Sequence, residues 1–274
     1  MNSLIEDGES STRLTIFLSI FIVLALLELI IPCNKTAAGK SKRWLNNIAL
    51  SVINTALVKL TIPFAGIAAA VLAGERQWGL LNNIVDSSGS INYLFEWFAI
   101  VIFLIIFDFT IYFQHRLFHA VPLLWRFHRM HHSDVDYDLT TGIRFHPISI
   151  VLSSIIKVAL ILIMGAPVFA VLLAEVLLNA TSMFNHSNLK LPQRFESFLR
   201  KLIVTPDMHR IHHSVDNIEH NHNFGFNFPW WDRLFGTYLD NVDKPSEEID
   251  IGIEGLQDAS SSNLFLMLWQ PTKD

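Results

Sequence analysis

The sequence predicts an all-α, integral-membrane helical bundle of about four spans, or three spans and a re-entrant hairpin, with a cytoplasmic histidine-rich metal-binding cap. Hydrophobic residues make up 51% of the 274 residues and charged residues only 16%, whereas about a quarter of a typical soluble domain is charged. Several apolar stretches are long enough to cross a bilayer. Most of the 12 histidines fall in short clusters after these stretches.

The apolar stretches fall into three single segments and one pair. The single segments cover residues 14–31, 48–73 and 97–113, and the pair covers 148–164 and 168–184. Lys59, Pro63 and Gly66 interrupt the second segment. Gly165 and Pro167 join the pair, and such residues favour a tight reversal. We therefore expect the pair to enter and leave the membrane on one side, as two spans or as a re-entrant hairpin.

Basic residues in the short connections predict the orientation. Lys35, Lys40, Lys42 and Arg43 follow the first segment, whereas Arg76 is the only basic residue between positions 75 and 96. Cytoplasmic loops carry the excess of Lys and Arg, so the first connection is expected in the cytoplasm and the N-terminus outside. Counting spans forward then places all the histidines on the cytoplasmic side.

Three histidine clusters have helical spacing. One cluster extends the third segment as an i, i+4 pair, and two others repeat an i, i+3, i+4 pattern; their members are His115 and His119, then His128, His131 and His132, then His209, His212 and His213. Residues at these spacings share a helix face. Eight imidazoles exceed what one ion takes and suit two, and neutral imidazole binds iron, zinc, copper or nickel.

Four further histidines lie outside these clusters. His186 follows the pair of apolar segments on the expected metal side, and we interpret it as a ninth ligand, with a polar interface residue as the alternative. His146 precedes Pro147, where it either caps a helix or orients a ligand. His220 and His222 lie in a polar segment and are interpreted as solvated loop residues.

Two aspartates are candidates for orienting the ligands. Asp108 lies inside an apolar segment, where a charge is costly, and Asp207 lies two residues before His209. Because ligating histidines usually donate their free N–H to a carboxylate or carbonyl, we expect both aspartates to accept such bonds. The aromatic-rich residues 224–238 are interpreted either as an interfacial segment that helps to close the site or as a segment that packs in the core.

The three boxes together resemble those of the fatty acid hydroxylase/sterol desaturase superfamily of integral-membrane di-iron oxygenases. The H-x3-H box, the two H-x2-HH boxes and the short gap between the first two carry the resemblance. The Asn185–His186 pair and the run at 230–238 are similar to a bacterial sterol-desaturase-like branch. The resemblance is close over residues 108–238.

This resemblance implies an oxidoreductase with two iron ions (Fe2+/Fe3+) that uses dioxygen to hydroxylate or desaturate a sterol, fatty acyl or ether lipid. The implied metal-binding and catalytic residues are His115, His119, His128, His131, His132, His186, His209, His212 and His213. The implied organisation is membrane spans in 1–96, a catalytic region in 97–240 that includes the hairpin 148–184, and a tail in 241–274. The implied location is a bacterial inner membrane.

Charge and cysteine content restrict the partners. The net charge of −5 gives no electrostatic support for binding nucleic acid. Because Cys33 is the only cysteine, the chain has no cysteine ligands for an iron–sulfur cluster of its own. We therefore expect a separate electron donor, a reductase with a cytochrome or a ferredoxin. Zinc is expected as a possible substitute for iron in purified protein.

Two alternative functions are weighed against the oxygenase. A zinc-dependent membrane hydrolase acting on lipids needs a bound water and usually a nearby Glu base, and the boxes contain no Glu. A non-enzymatic metal-binding or transport protein should have ligands near the middle of its spans. Here the clusters follow the span ends. Both alternatives explain the histidines less well than a two-metal oxygenase.

The charge asymmetry predicts an external N-terminus and a cytoplasmic C-terminus. Reporter fusions at Met1 and Asp274 measure both sides independently. A C-terminal reporter that is active only outside would contradict the orientation and would separate the histidines from a cytoplasmic reductant.

Overall fold

A computed structural model describes residues 2–35, 40–86, 93–257 and 259–273. Within these ranges the chain is helical, and two isolated bridges, Pro32 with Leu189 and Ser214 with Ile251, are the only β-type pairings. The all-α prediction is confirmed. In chain order the helices are α1 (Asn2–Ile30), α2 (Lys40–Thr61), α3 (Ile67–Glu75), α4 (Leu80–Asp86), α5 (Tyr93–Ala120), α6 (Pro122–His132), α7 (Pro147–Met164), α8 (Val168–Asn185), α9 (Gln193–Leu199), α10 (Pro206–His212), α11 (Trp230–Phe235) and α12 (Leu264–Trp269).

Four of the described helices are long and apolar enough to cross a membrane. These spans are Ser11–Ile30, Leu94–Ala120, Pro147–Met164 and Val168–Asn185. The predicted pair is therefore two helices of 18 residues each, and each is about 27 Å long at 1.5 Å per residue. Gly165 ends α7 in the left-handed region, at φ 63°, and makes the predicted reversal.

The second apolar segment, residues 48–73, is not one continuous span. Helix α2 ends at Thr61 and α3 begins only at Ile67, so the break coincides with Pro63. Proline has no N–H for the helix and clashes with the preceding turn. Helix α2 begins at Lys40, earlier than the apolar segment, and its first turns bond the loop after α6 through Arg43 and Asn47.

The two ends of the bundle are distinct. At the histidine end, the Glu28 carboxylate near the end of α1 accepts bonds from the backbone N–H groups of Leu139 and Asn188, both at 2.8 Å. At the opposite end, a Cβ on Gly165 would lie 2.4 Å from the Trp78 carbonyl. The connection from α2 to α4 therefore carries the chain away from the histidine end, and α5 returns it.

Two kinds of packing hold the elements. An apolar core is formed mainly by α3, α5, α7 and α8, with Phe103 and Phe107 fully buried. Beside it, Arg43 of α2 is buried against Asp134 at 2.8 Å and against Asp138. Those aspartates follow the second histidine cluster directly. The ion pairs therefore fix α2 to the loop that leaves the histidines.

We expect Arg43→Ala to lower the free energy of unfolding by about 3–5 kcal/mol, because it leaves buried carboxylates without their partner. Lys190→Ala is the matched control, since its ion pair with Glu247 is exposed and exposed pairs contribute little. Denaturant unfolding of the detergent-purified protein measures both. Equal unfolding midpoints for the two variants would show that the Arg43 pairs do not hold the cap.

Candidate metal centre

The nine predicted ligand histidines converge at one end of the bundle as two groups. Helix α5 supplies the first box, α6 the second, the end of α8 supplies His186, and α10 with the next residue supplies the third box. The five-histidine group contains His115, His119, His128, His132 and His212, and the four-histidine group contains His131, His186, His209 and His213. Within each group the ligand atoms lie within 4.8 Å of one another.

Each adjacent His-His doublet is divided between the two groups. His131 faces the four-histidine group and His132 the five-histidine group, and the next doublet divides in the opposite order, with His212 in the larger group and His213 in the smaller. Successive helical residues differ in direction by about 100° at 3.6 residues per turn. One helical turn therefore contributes ligands to both sites, which explains why the boxes contain doublets.

Backbone carbonyls fix the tautomer of two histidines in the four-histidine group. The Nδ1 of His131 lies 3.0 Å from the Arg144 carbonyl, and that of His186 lies 2.6 Å from the Ser182 carbonyl. A carbonyl only accepts, so each Nδ1 carries the proton and donates it. Each Nε2 then holds a lone pair.

The five-histidine group repeats this arrangement. The Nδ1 of His115 donates to the Phe224 carbonyl at 2.8 Å, and that of His212 donates to the His222 carbonyl at 2.7 Å. The Nε2 atoms of His115 and His212 therefore also present lone pairs.

Lone pairs face one another in both groups. The Nε2 atoms of His212 and His115 are 3.0 Å apart, and those of His186 and His131 are 3.1 Å apart. Since neither partner has a proton at that atom, no hydrogen bond joins them, and the two electron pairs repel. A cation between them turns the repulsion into attraction. The donor set therefore fits a metal ion in each group, and neutral imidazole is a ligand that iron and zinc accept.

Burial keeps these imidazoles neutral. It lowers the pKa of His186 to about 3, because a charged ring loses its hydration in the interior. Burial, with neighbouring histidines adding to it, also holds the pKa of His131 and His213 well below the ordinary value. At neutral pH these rings are therefore in the form that binds metal.

The structure gives the two predicted aspartates other partners. Asp108 accepts from the Trp231 indole N–H at 2.8 Å and from the backbone N–H of Asn227 at 3.2 Å. Burial raises the pKa of Asp207, and the nearby charge of Arg210 opposes that rise. Oδ1 of Asp207 is buried without a hydrogen-bond partner among the described residues. Backbone carbonyls do the orienting that we expected of carboxylates. No side-chain pattern in the sequence could have located those carbonyls.

The remaining histidines lie outside both groups. His146 caps α7 by accepting from the Ile148 N–H at 3.2 Å. Of the two roles that we predicted for it, the structure therefore shows the helix cap. His220 is not the solvated loop residue that we predicted. Its ring stacks on that of Trp125, with the ring centroids 5.5 Å apart. The side chain of His222 bonds to the Ile218 carbonyl, whereas the backbone carbonyl of His222 accepts from the His212 imidazole.

A family comparison agrees with this geometry. The model of the family described as fatty acid hydroxylase matches residues 100–237, a range that contains all nine histidines. The chain belongs to the fatty acid hydroxylase family. The predicted resemblance is therefore confirmed.

Curated relatives extend the match. Ornithine lipid hydroxylase OlsE of Rhizobium tropici is 32% identical over 251 residues, which cover 88% of this chain and 70% of the relative. Alkylglycerol monooxygenase of Homo sapiens is 31% identical over 136 residues, which cover 48% of this chain but 28% of that protein. No solved structure matches the chain. Family and fold together make this protein an integral-membrane oxidoreductase that acts on lipid.

We expect His131→Ala and His212→Ala each to lower the metal content of the purified protein. The loss should be larger for His131, because its group keeps only three of its four imidazoles. Both variants should still insert, since insertion depends on the apolar spans. Elemental analysis of protein extracted from washed membranes measures both effects.

The matched control is His222→Ala, which removes a histidine side chain but keeps the carbonyl that orients His212. It should retain metal and most activity. Normal metal content in the His131 and His212 variants, or a metal-poor His222 variant, would contradict the assignment of the two groups.

Proposed function

We propose that this protein is a di-iron oxygenase that uses dioxygen and external electrons to hydroxylate or desaturate a membrane lipid. The observation that carries the proposal is the pair of histidine groups whose Nε2 lone pairs face one another at 3.0–3.1 Å. Membership of a lipid-hydroxylating family supports the same reaction class.

In this proposal one iron is held by the five-histidine group and the other by the four-histidine group, and all nine histidines are catalytic ligands. Two bound irons supply the redox chemistry that activates dioxygen for attack on an unactivated C–H bond. The protein contributes orientation, through the four carbonyl-bound imidazoles. It also excludes water, because Phe145 stacks on His131 at 4.4 Å and Phe224 lies 5.1 Å from His119.

The alternatives gain less support from the geometry. A zinc hydrolase needs a general base beside the bound water, and the candidate metal groups among the described residues contain histidines only. A transporter holds its ion near the middle of the membrane. Here His115 and His119 lie in the last turns of the span Leu94–Ala120, so the groups lie at the membrane edge.

We place the active site on the cytoplasmic face of a bacterial inner membrane, with electrons from a separate reductase that carries a cytochrome or ferredoxin. Lys35 and the basic residues in the first turn of α2 support this side. The single cysteine supports a separate donor, because cysteine-ligated clusters need several thiolates.

The relatives' substrates suggest which lipids to test first. Ornithine lipid hydroxylase OlsE matches this chain over 70% of its own length. A polar acyl lipid of the ornithine type is therefore the first substrate to test. Ether lipids are the second, because alkylglycerol monooxygenase matches over the histidine-bearing region. The relatives' names favour hydroxylation over desaturation.

Iron-reconstituted protein, supplied with a ferredoxin or cytochrome reductase, should insert one oxygen atom from ¹⁸O-labelled dioxygen into ornithine lipid. Mass spectrometry of the lipid measures the insertion, and zinc-loaded protein is the matched control because zinc cannot change oxidation state. Lipid cleavage without dioxygen would instead establish the hydrolase. A metal content of at most one ion per fully loaded chain would contradict the proposed two-iron centre.

A further inference from the structure

One aromatic ring connects the apolar core to both metal groups. Phe226 belongs to the core formed by α3, α5, α7 and α8. Its ring lies 5.2 Å from that of His115 in the five-histidine group and 6.0 Å from that of His209 in the four-histidine group. Among the described residues, it is the one aromatic side chain of this core whose ring approaches histidines of both groups. Phe145 also packs on the core but stacks only on His131.

The backbone around Phe226 is held from two spanning helices. Asn185 of α8 donates to the Phe226 carbonyl at 3.1 Å. Asp108 of α5 accepts from the N–H of the next residue, Asn227, at 3.2 Å. Thr181 of α8 donates to the Asn227 side chain. Polar side chains inside a spanning helix are energetically costly. Here they provide hydrogen-bond partners for the segment that carries the Phe226 ring and so hold that segment in place.

The segment is also fixed from the cap side. Asp232 accepts from the N–H groups of Phe224 and Gly225 at 2.9 and 2.8 Å. A Cβ on Gly225 would lie 2.7 Å from the Phe228 carbonyl, so this close turn requires glycine. Backbone groups on both sides of Phe226 are therefore bonded, and these bonds fix the segment that carries the ring.

We propose that Phe226 is the specificity-determining residue that positions the lipid at the metal pair. A lipid that reaches the centre from the bilayer side meets the boundary between the apolar core and the two histidine groups, and Phe226 lies at that boundary beside histidines of both groups. The ring limits how far the lipid advances and hence which C–H bond lies beside the metals. Asp108 and Asn185 are positioning residues that act through the backbone of this segment. The inference rests on the proposed oxygenase function.

The test is the position of oxidation in Phe226→Leu and Phe226→Ala, with iron-loaded protein, a reductase and ornithine lipid as the probe. Tandem mass spectrometry locates the inserted oxygen. We expect a second positional isomer to appear in the Leu variant and to become the main product in the Ala variant. Iron content and melting temperature are measured beside it, because a purely structural role would lower both without changing the isomer ratio.

Two control variants distinguish a role of Phe226 in positioning the lipid from a general loss of packing around the site. Phe103→Leu removes a ring from the same core, and Phe224→Leu removes a ring that lies 5.6 Å from His115 but approaches only the five-histidine group. Both should keep the wild-type isomer ratio, whatever their turnover. An unchanged ratio in both Phe226 variants, or an equal change in the controls, would overturn the proposal. A wild-type protein that makes no dioxygen-dependent product would overturn the proposed function itself.

Discussion

The repulsion between opposed imidazole lone pairs is the constraint on which the rest of the structure depends. Hydrogen bonds from Nδ1 to backbone carbonyls leave the Nε2 atoms without protons. His131 therefore faces His186, and His115 faces His212, through lone pairs. Burial prevents protonation from relieving the repulsion, since it holds the imidazole pKa values low. A bound cation would offset it, and we therefore expect metal binding to contribute to the folding energetics of the cap.

The surrounding polar network holds the histidines against this repulsion. Arg144, whose carbonyl orients His131, donates from Nε to the Met130 carbonyl at 3.0 Å and from its guanidinium to the Ser261 carbonyl at 2.6 Å. It therefore joins the second box to the C-terminal tail. His146 bonds the Leu268 carbonyl at 3.2 Å and adds a second link. The tail is thus packed into the cap.

Charged and polar residues in the spanning helices serve the cap in the same way. Glu28, Asp108 and Asn185 each bond backbone groups of the loops at the histidine end. Their energetic cost in an apolar environment is offset because they satisfy N–H and carbonyl groups that otherwise lack partners. Asp108 and Asn185 bond the segment that carries Phe226, whereas Glu28 bonds the backbone of Leu139 and Asn188.

The sequence by itself determined the membrane character, and it predicted nine histidines that the fold brings together in two groups, because hydrophobic length and the spacing of the boxes are local properties that a helix expresses directly. Pro63 indicated an interruption of the second segment, but the sequence did not show that this segment forms two separate helices. Nor did it show how each histidine doublet is divided between the two groups. It assigned Asp108 and Asp207 to the histidines, whereas tertiary structure gave that role to carbonyls. A backbone carbonyl is present at every residue, so only the fold decides which one meets an imidazole, and only the fold brings Phe226 to the boundary between membrane core and metal site.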